Sequence, residues 1–191
     1  MNLTIVEESP FRPAEYAQVP IGFTVTEVFD DAAISTLLSG TPATPSALAR
    51  PYWKDYDRHR DSHPTDWPKR FDLSHWTSFA AYDDSRRVGG AVLILGDPDV
   101  DLLRGHTDCG LLWDLRVGPD VRGQGIGSAL LDAVVRKAAR SGAPEIWVET
   151  QQVNVPACRL YQRHGFRLER AIKGAYAELP SEVELLWRKS L

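Results

Sequence analysis

The chain has 191 residues, of which 22 are lysine or arginine and 26 are aspartate or glutamate, so its formal charge at pH 7 is −4. A hydrophobic fraction of 43% and a charged fraction of 25% are typical of a globular protein, and we expect a single domain over residues 1–191. The acidic balance argues against a nucleic-acid partner, and the longest apolar run, Gly89 to Gly96, is far shorter than the roughly 20 residues of a membrane span. Acidic residues stand near the amino terminus where a signal peptide would carry basic ones, so we expect a cytoplasmic protein.

The first part of the chain predicts few regular elements. The alternation of Phe23 to Val28 predicts a strand, and an acidic cap precedes a helical pattern over Asp31 to Leu38. Residues 41–75 are rich in proline, aspartate, histidine and aromatic residues and are only weakly periodic. We therefore interpret them as a long excursion from the core that contains one short helix.

The second part alternates between strand and helix patterns. Strands are predicted over Trp76–Tyr82, Val88–Leu95, Leu111–Val117, Glu145–Thr150, Phe166–Ile172 and Glu182–Trp187. Helices are predicted from Ser128 to Arg140 and from Asn154, as the N-cap, to a stop at Gly165. Alternating elements followed by an antiparallel end predict an α/β fold with a mixed sheet.

A glycine-rich loop joins the strand that ends at Val117 to the helix that follows. The loop consists of Arg122, Gly123, Gln124, Gly125, Ile126, Gly127 and Ser128. Glycines allow close approach to the backbone, and N–H groups converge at the positive end of the helix dipole, so the loop suits a pyrophosphate. A dinucleotide fingerprint would need glycine at Ser128 or Leu130, and a P-loop would need a lysine after a glycine; both are missing.

What the loop does match is the pattern [QR]-x-x-G-x-[GA], from Arg122 to Gly127. A second motif follows on the next helix; it consists of Leu160-Tyr161-Gln162-Arg163-His164-Gly165-Phe166. With these two motifs the chain resembles the GNAT family of acetyl-CoA-dependent N-acetyltransferases. Within the family, the chain is most similar to streptothricin-type members in three short motifs, Glu149–Gln151, Asn154 and Ala157–Tyr161. The resemblance implies a layered α/β fold with a mixed, mostly antiparallel central sheet, a splayed parallel strand pair and flanking helices.

The resemblance also implies a binding site for acetyl-CoA within residues 110–176. The loop from Arg122 to Ser128 would hold the pyrophosphate, and the strand residues Leu115, Arg116 and Val117 would pair with the pantetheine arm. Asn154 would contact CoA, and Tyr161 would be the general acid that protonates the departing thiolate. Seven residues correspond to about 700° of helix, which places Asn154 and Tyr161 on one face. The alternatives are a simple helix cap for Asn154 and a core aromatic for Tyr161.

A base must also deprotonate the amine, because an amine with a pKa of about 10.4 is only about 0.04% neutral at pH 7. Asp114 and Glu149 are the two candidates, on strands that would be neighbours, and each has a structural ion-paired or solvated alternative. Cys158 invites an acetyl-thiol intermediate, but the family transfers directly in a ternary complex, and a lone cysteine on a helix is more often a core residue.

The acceptor side is predicted from residues 41–75, where acids alternate with aromatic residues around Trp53 and Trp67. Such a mixture favours a cation, although the tryptophans could also pack on the core. We therefore expect a small cationic amine of the streptothricin or polyamine kind, with no metal site, since Pro64 interrupts the His59, Asp61 and His63 group. The alternatives are a protein or peptide N-acetyltransferase and a catalytically silent CoA-binding sensor, and the family resemblance makes a homodimer an expectation.

Overall fold

The computed structural model describes residues 2–59, 62–97, 100 and 108–191. Asp61 of the predicted histidine group lies outside the described residues. The strands are β1 (Leu3–Glu8), β2 (Phe23–Val28), β3 (Ser46–Lys54), β4 (Thr77–Asp83), β5 (Arg86–Leu95), β6 (Gly110–Val117), β7 (Glu145–Gln151), β8 (Arg167–Lys173) and β9 (Val183–Ser190). The α-helices are α1 (Pro13–Tyr16), α2 (Asp31–Leu38), α3 (Ile126–Arg140) and α4 (Val155–Arg163). Short 3-10 helices cover Tyr56–Arg58, Pro64–Lys69, Leu73–His75 and Pro119–Val121.

The chain divides into two compact units, neither of which is continuous in sequence. The first comprises the residues up to Phe23, together with 55–146 and Leu191. The second comprises residues 24–54 and 147–190. The segment 41–75, predicted as one excursion, is therefore divided between the two units.

The first unit is built on the antiparallel strands β1-β4-β5-β6, in that order. Helix α3 packs on these strands through Ile126 and Leu130, both buried. The approach is close at Gly89, where an added Cβ would lie 3.1 Å from Leu130 and 3.2 Å from Ile126. At Gly90 an added Cβ would lie 2.5 Å from the Tyr16 ring. Any other residue at this position would clash with the buried Tyr16 side chain.

The parallel pair consists of β6 and β7, which are neighbours in the sheet and are connected through α3. The pair begins in the first unit. An added Cβ at Gly110, the first residue of β6, would lie 3.5 Å from Ile146 of β7. The predicted mixed, mostly antiparallel α/β architecture with one parallel pair is confirmed. The splay of that pair stays a prediction.

The second unit contains the strands β7-β9-β8 and a two-stranded sheet of β2 and β3. Strands β8 and β9 are antiparallel, with Leu168 opposite Trp187. Helix α2 packs near β8, and its amino terminus is capped by Asp30, whose carboxylate accepts the Ala33 N–H at 2.9 Å. The largest fully buried side chain of the unit is Trp187.

Most predicted elements are present with small shifts at their ends. β2 and α2 coincide with the prediction, whereas α3 begins at Ile126, two residues before the predicted Ser128. β1 and α1 were not predicted. The segment 41–75, interpreted as an excursion with one short helix, contains the unpredicted strand β3 and three 3-10 helices. β3 is difficult to predict because Lys54 is its only buried residue, so burial imposes no alternation on its sequence.

No helix in the described part of the chain is both long enough and apolar enough to span a membrane.

Candidate functional site

The glycine-rich loop presents an open, uncapped helix terminus. Gly123 and Gly125 have φ angles of +78° and +86°, which favour glycine, and Gly125 is the N-cap of α3 with no side-chain cap. Among the described residues, the backbone N–H groups of residues 123–128 have no backbone acceptor. An added Cβ at Gly123 or Gly125 would meet nothing within 4 Å. The loop therefore has both the donors and the open space that a pyrophosphate needs.

Two side chains fix this loop in place. Arg122 donates to the carbonyl oxygens of Val117, at 3.0 Å, and Ile21, at 3.2 Å. Ile126 is 1% exposed and contributes to the core, so only its backbone N–H can serve a ligand. The predicted loop residues are thus one local structure, held from both ends.

The predicted strand residue Arg116 has a structural role that its sequence position did not indicate. Its guanidinium is buried and pairs bidentately with Asp114, at 2.9 Å through both Nε and Nη2. It also pairs with Asp57, at 3.0 and 3.1 Å, and donates to the Val19 carbonyl at 3.2 Å. All five N–H groups of Arg116 therefore have acceptors. The neighbouring residues Leu115 and Val117 are half-buried.

The Asp114 carboxylate is held from a third direction by Tyr16, whose hydroxyl donates to Oδ1 at 2.6 Å. The Arg116 guanidinium lies 4.8 Å from the centre of the Tyr16 ring. Burial, and then the charge of Asp114, raise the pKa of Tyr16 well above its usual range, so its proton stays in place. Asp114 is accordingly a bonded member of a rigid network.

Glu149 has a different environment. The Tyr176 hydroxyl donates a hydrogen bond to Glu149 Oε1, and the Gln151 side chain lies close enough to the same hydroxyl to lower its pKa. The pKa of Glu149 is raised to about 7, mainly by burial and in part by the charges of Glu184 and Glu182. The Tyr176 hydrogen bond and the Lys54 charge act in the opposite direction. A carboxylate with a pKa near 7 is suited to accept a proton at neutral pH.

A buried ion pair that the sequence did not predict accompanies Glu149. Lys54 Nζ donates to both carboxylate oxygens of Glu182, at 2.7 and 2.8 Å, and the two side chains are 4% and 8% exposed. Lys54 is the last residue of β3, and Glu182 directly precedes β9, 128 residues later in the sequence. No local pattern in the sequence indicates such a pair.

Asn154 caps α4 and Tyr161 lies within this helix, as predicted. Asn154 is the N-cap, and its side-chain oxygen accepts the Ala157 N–H at 3.3 Å. Tyr161 is 5% exposed, and its ring centre lies 5.7 Å from that of Phe166 and 6.4 Å from that of Trp187. The two structural alternatives, a helix cap for Asn154 and a core aromatic for Tyr161, are therefore both present. The roles of these residues in CoA binding and proton transfer stay predictions.

The tryptophans of the predicted acceptor segment have two environments. Trp67 is 2% exposed and lies in an aromatic cluster, 5.8 Å from Trp76 and 6.1 Å from Trp113 between ring centres. Trp53 is 53% exposed and Tyr52 is 42% exposed. Packing on the core therefore accounts for Trp67, whereas the aromatic residues of β3 are available to a ligand.

The two cysteines are buried and form no disulfide. Burial raises the pKa of Cys109 to about 11 and also raises the pKa of Cys158. A thiol that is buried and protonated is a poor nucleophile. His63 caps the helix Pro64–Lys69, and the described residues contain no group of three or more potential metal ligands.

Residues 46–166 match the family model described as the acetyltransferase (GNAT) family. The chain belongs to the GNAT family. The match includes the glycine loop, Asp114, Glu149 and Tyr161, and the family resemblance predicted from the two sequence motifs is confirmed.

Relatives of this GNAT protein include enzymes with different acceptors. Streptothricin acetyltransferase A of Bacillus subtilis (strain 168) is 30% identical over 79 residues, which are 40% of this chain and 46% of that protein. N-alpha-acetyltransferase 30 of Schizosaccharomyces pombe is 33% identical over 99 residues, or 51% of this chain and 63% of that one. The chain thus matches less than two thirds of the length of either relative.

The fold similarity extends over the whole chain. A crystal structure of a protein assigned as a streptothricin acetyltransferase from Bacillus anthracis str. Ames, in complex with acetyl coenzyme A, has a TM-score of 0.75. The alignment covers 100% of this chain and 99% of that one, at 21% identity. At this identity the match shows that the two proteins share a fold.

Proposed function

We propose that this protein is an acetyl-CoA-dependent N-acetyltransferase that acetylates a primary amine of a small cationic molecule of the streptothricin or polyamine kind. The observation that carries the proposal is the open glycine loop at the amino terminus of α3, in a chain of the GNAT family. Acetyl-CoA supplies the activated acetyl thioester. The residues of this chain bind it, deprotonate the amine and protonate the leaving group.

The loop from Arg122 to Ser128 binds the pyrophosphate through its backbone N–H groups, and Asn154 contributes a further contact to CoA. Leu115, Arg116 and Val117 bind the pantetheine arm through their backbone. The buried Arg116 side chain then acts only to hold the strand, because all of its donors are occupied.

Glu149 is the proposed base. It accepts a proton from the ammonium group, so that an N–H bond breaks, an O–H bond forms and the neutral amine attacks the acetyl carbonyl directly. Its pKa of about 7 leaves a substantial ionised fraction at neutral pH, whereas both oxygens of the alternative base, Asp114, are engaged by Arg116. Tyr161 is the proposed acid that protonates the departing thiolate.

The charges near Glu149 support the proposed acceptor class. The charges of Glu184 and Glu182 raise the pKa of Glu149, and the charge of Lys54 lowers it. A net negative environment favours a positively charged acceptor over a neutral or anionic one. The exposed rings of Tyr52 and Trp53 are suitable for cation–π contacts with such a molecule.

The match to an N-alpha-acetyltransferase supports a second candidate acceptor, the amino terminus of a protein or peptide. A catalytically silent CoA sensor is the third possibility, and Tyr161→Phe tests it. An enzyme should lose most of its turnover near neutral pH in this variant while it retains acetyl-CoA binding. Equal turnover would remove Tyr161 as the acid.

The first test is calorimetric titration with acetyl-CoA, with NADH as the control ligand, followed by thiol release against a panel of small amines and amino-terminal peptides. We expect saturable acetyl-CoA binding and turnover on a cationic small molecule. Turnover on peptides alone would favour the second candidate, and the absence of acetyl-CoA binding would refute the assignment of the loop.

A matched pair of glycine variants then tests the loop itself. Gly125→Ala and Gly142→Ala both place a Cβ at a φ above +80° with nothing within 4 Å, so the two cost similar stability. Only the Gly125 variant should lower acetyl-CoA affinity, by at least tenfold. Equal affinities in the two variants would contradict the proposed pyrophosphate site.

A further inference from the structure

One buried hydrogen-bond acceptor near Glu149 has no partner. Gln151 is 7% exposed, and among the described residues its Oε1 accepts no hydrogen bond. Buried polar atoms are nearly always paired, with protein, water or ligand, because an unpaired one loses its hydration without compensation.

The next residue shows that this is a specific feature of Gln151. Gln152 is 6% exposed, and both ends of its amide are paired. Its Oε1 accepts the Val183 N–H at 2.7 Å, and its Nε2 donates to the Ser181 carbonyl at 3.2 Å. Gln152 therefore serves the fold, whereas Gln151 retains an acceptor that the fold does not use.

The unused acceptor belongs to the same polar cluster as the proposed base. Side chains alternate along a strand, so Glu149 and Gln151 lie on one face of β7. The Tyr176 hydroxyl donates to Glu149 Oε1, and the Gln151 side chain lies close enough to the same hydroxyl to lower its pKa. The Tyr176 hydroxyl thus lies next to both the Gln151 amide and the Glu149 carboxylate.

The chemistry of the cluster defines the ligand that it can take. An unpaired carbonyl oxygen requires a donor, and the surrounding carboxylates of Glu149, Glu182 and Glu184 favour a positive charge. A primary ammonium group has three N–H donors and no acceptor, so it meets both requirements. A carboxylate or phosphate group meets neither.

We propose that Gln151 Oε1 accepts an N–H of the acceptor's primary ammonium group, beside the Glu149 carboxylate, and so forms the amine subsite of the enzyme. This inference rests on the proposed function and deepens it, because it names the residue that binds the ammonium group of the acceptor. Gln151 is a substrate-binding residue in this assignment, and Tyr176 is a positioning residue that orients both Gln151 and Glu149.

The test compares Gln151→Met with the matched control Gln152→Met. Streptothricin binding is measured calorimetrically on the protein saturated with CoA, KM and kcat are measured with acetyl-CoA, and thermal melting and acetyl-CoA affinity report on the fold. We expect Gln151→Met to weaken streptothricin binding and raise its KM by about tenfold to a hundredfold, the range of a hydrogen bond to a charged group. Its melting temperature should be equal to that of the wild type or higher, and its acetyl-CoA affinity unchanged.

Gln152→Met should show the opposite pattern, with a lower melting temperature and unchanged streptothricin affinity. If Gln151→Met does not fold, the same measurements are made on Gln151→Leu. Streptothricin binding within twofold of the wild type in a folded Gln151 variant would overturn the subsite and leave a water molecule as the partner of Oε1. A wild-type protein that binds acetyl-CoA but acetylates no amine would overturn the proposed function instead, and the subsite with it.

Discussion

Two buried polar clusters, the one around Arg116 in the first unit and the one around Glu149 in the second, differ in how completely their hydrogen bonds are satisfied. The cluster around Arg116 uses all five guanidinium N–H groups on Asp57, Asp114 and Val19. The cluster around Glu149 has three carboxylates near Lys54, and the Gln151 Oε1 receives no hydrogen bond from the part of the chain that the structure describes. A complete network gives rigidity, whereas an incomplete one retains the capacity to bind a ligand and to exchange a proton.

The largest expected effect is on the complete cluster. Arg116→Met removes the guanidinium that pairs with both Asp57 and Asp114, so it should lower the free energy of unfolding by about 4 kcal/mol. Chemical denaturation measures this loss. The control is Arg86→Met, which breaks the exposed ion pair with Asp120 and should cost less than about 1 kcal/mol. Similar losses in the two variants would mean that the buried network has no special role.

The incomplete cluster should make stability depend on pH. Above pH 4.5 the unfolded state has an ionised Glu149, whereas the folded state keeps the proton up to about pH 7. The folded state therefore binds more protons in this window, and the free energy of unfolding falls as the pH rises, by at most about 3 kcal/mol from this group. Denaturation at pH 5, 6, 7 and 8 measures the fall, which Glu149→Gln should abolish. An unchanged slope in that variant would assign the pH dependence to other groups.

The same contrast predicts which carboxylate serves catalysis. Glu149→Gln should lower turnover at pH 7 by at least about a hundredfold, the usual contribution of a general base, and remove the rise of kcat/KM near pH 7. Asp114→Asn should mainly lower stability, because it weakens the bidentate pair with Arg116. Steady-state kinetics of the folded variants decide between them. A larger kinetic loss in Asp114→Asn would transfer the role of base to Asp114.

The smallest expected effect concerns Tyr176. Its hydrogen bond lowers the pKa of Glu149, so Tyr176→Phe should raise that pKa and move the rise of kcat/KM upward by about one pH unit. The control Tyr82→Phe, in the other unit, should leave the profile in place. A Tyr176 variant with an unshifted profile would show that its hydroxyl does not influence the base.

Local features of the chain could be predicted, and long-range pairings could not. The glycine loop follows from the order of residues 122–128, and the N-cap at Asn154 follows from its position before a helical pattern. The pairing of Arg116 with Asp57 and that of Lys54 with Glu182 join residues far apart in sequence, and nothing in either neighbourhood specifies the partner. β3 was missed for a related reason, since its exposed side chains carry no burial pattern.

The orphaned oxygen of Gln151 also lies beyond sequence reasoning, because a glutamine in a strand can satisfy its amide in many ways. Only the positions of its neighbours distinguish it from Gln152. An unpaired buried atom can be recognised only in a three-dimensional structure, and this one carries the proposal for how the acceptor amine is bound.

The burial of both cysteines has a practical consequence for assays of the proposed activity. A thiol-reactive dye that reports released CoA should find almost no background from the folded protein, because Cys109 and Cys158 are 5% and 0% exposed and their pKa values are raised. Unfolding should expose both thiols, two equivalents per chain. The dye therefore counts product and, in a blank without substrate, the unfolded fraction of every variant.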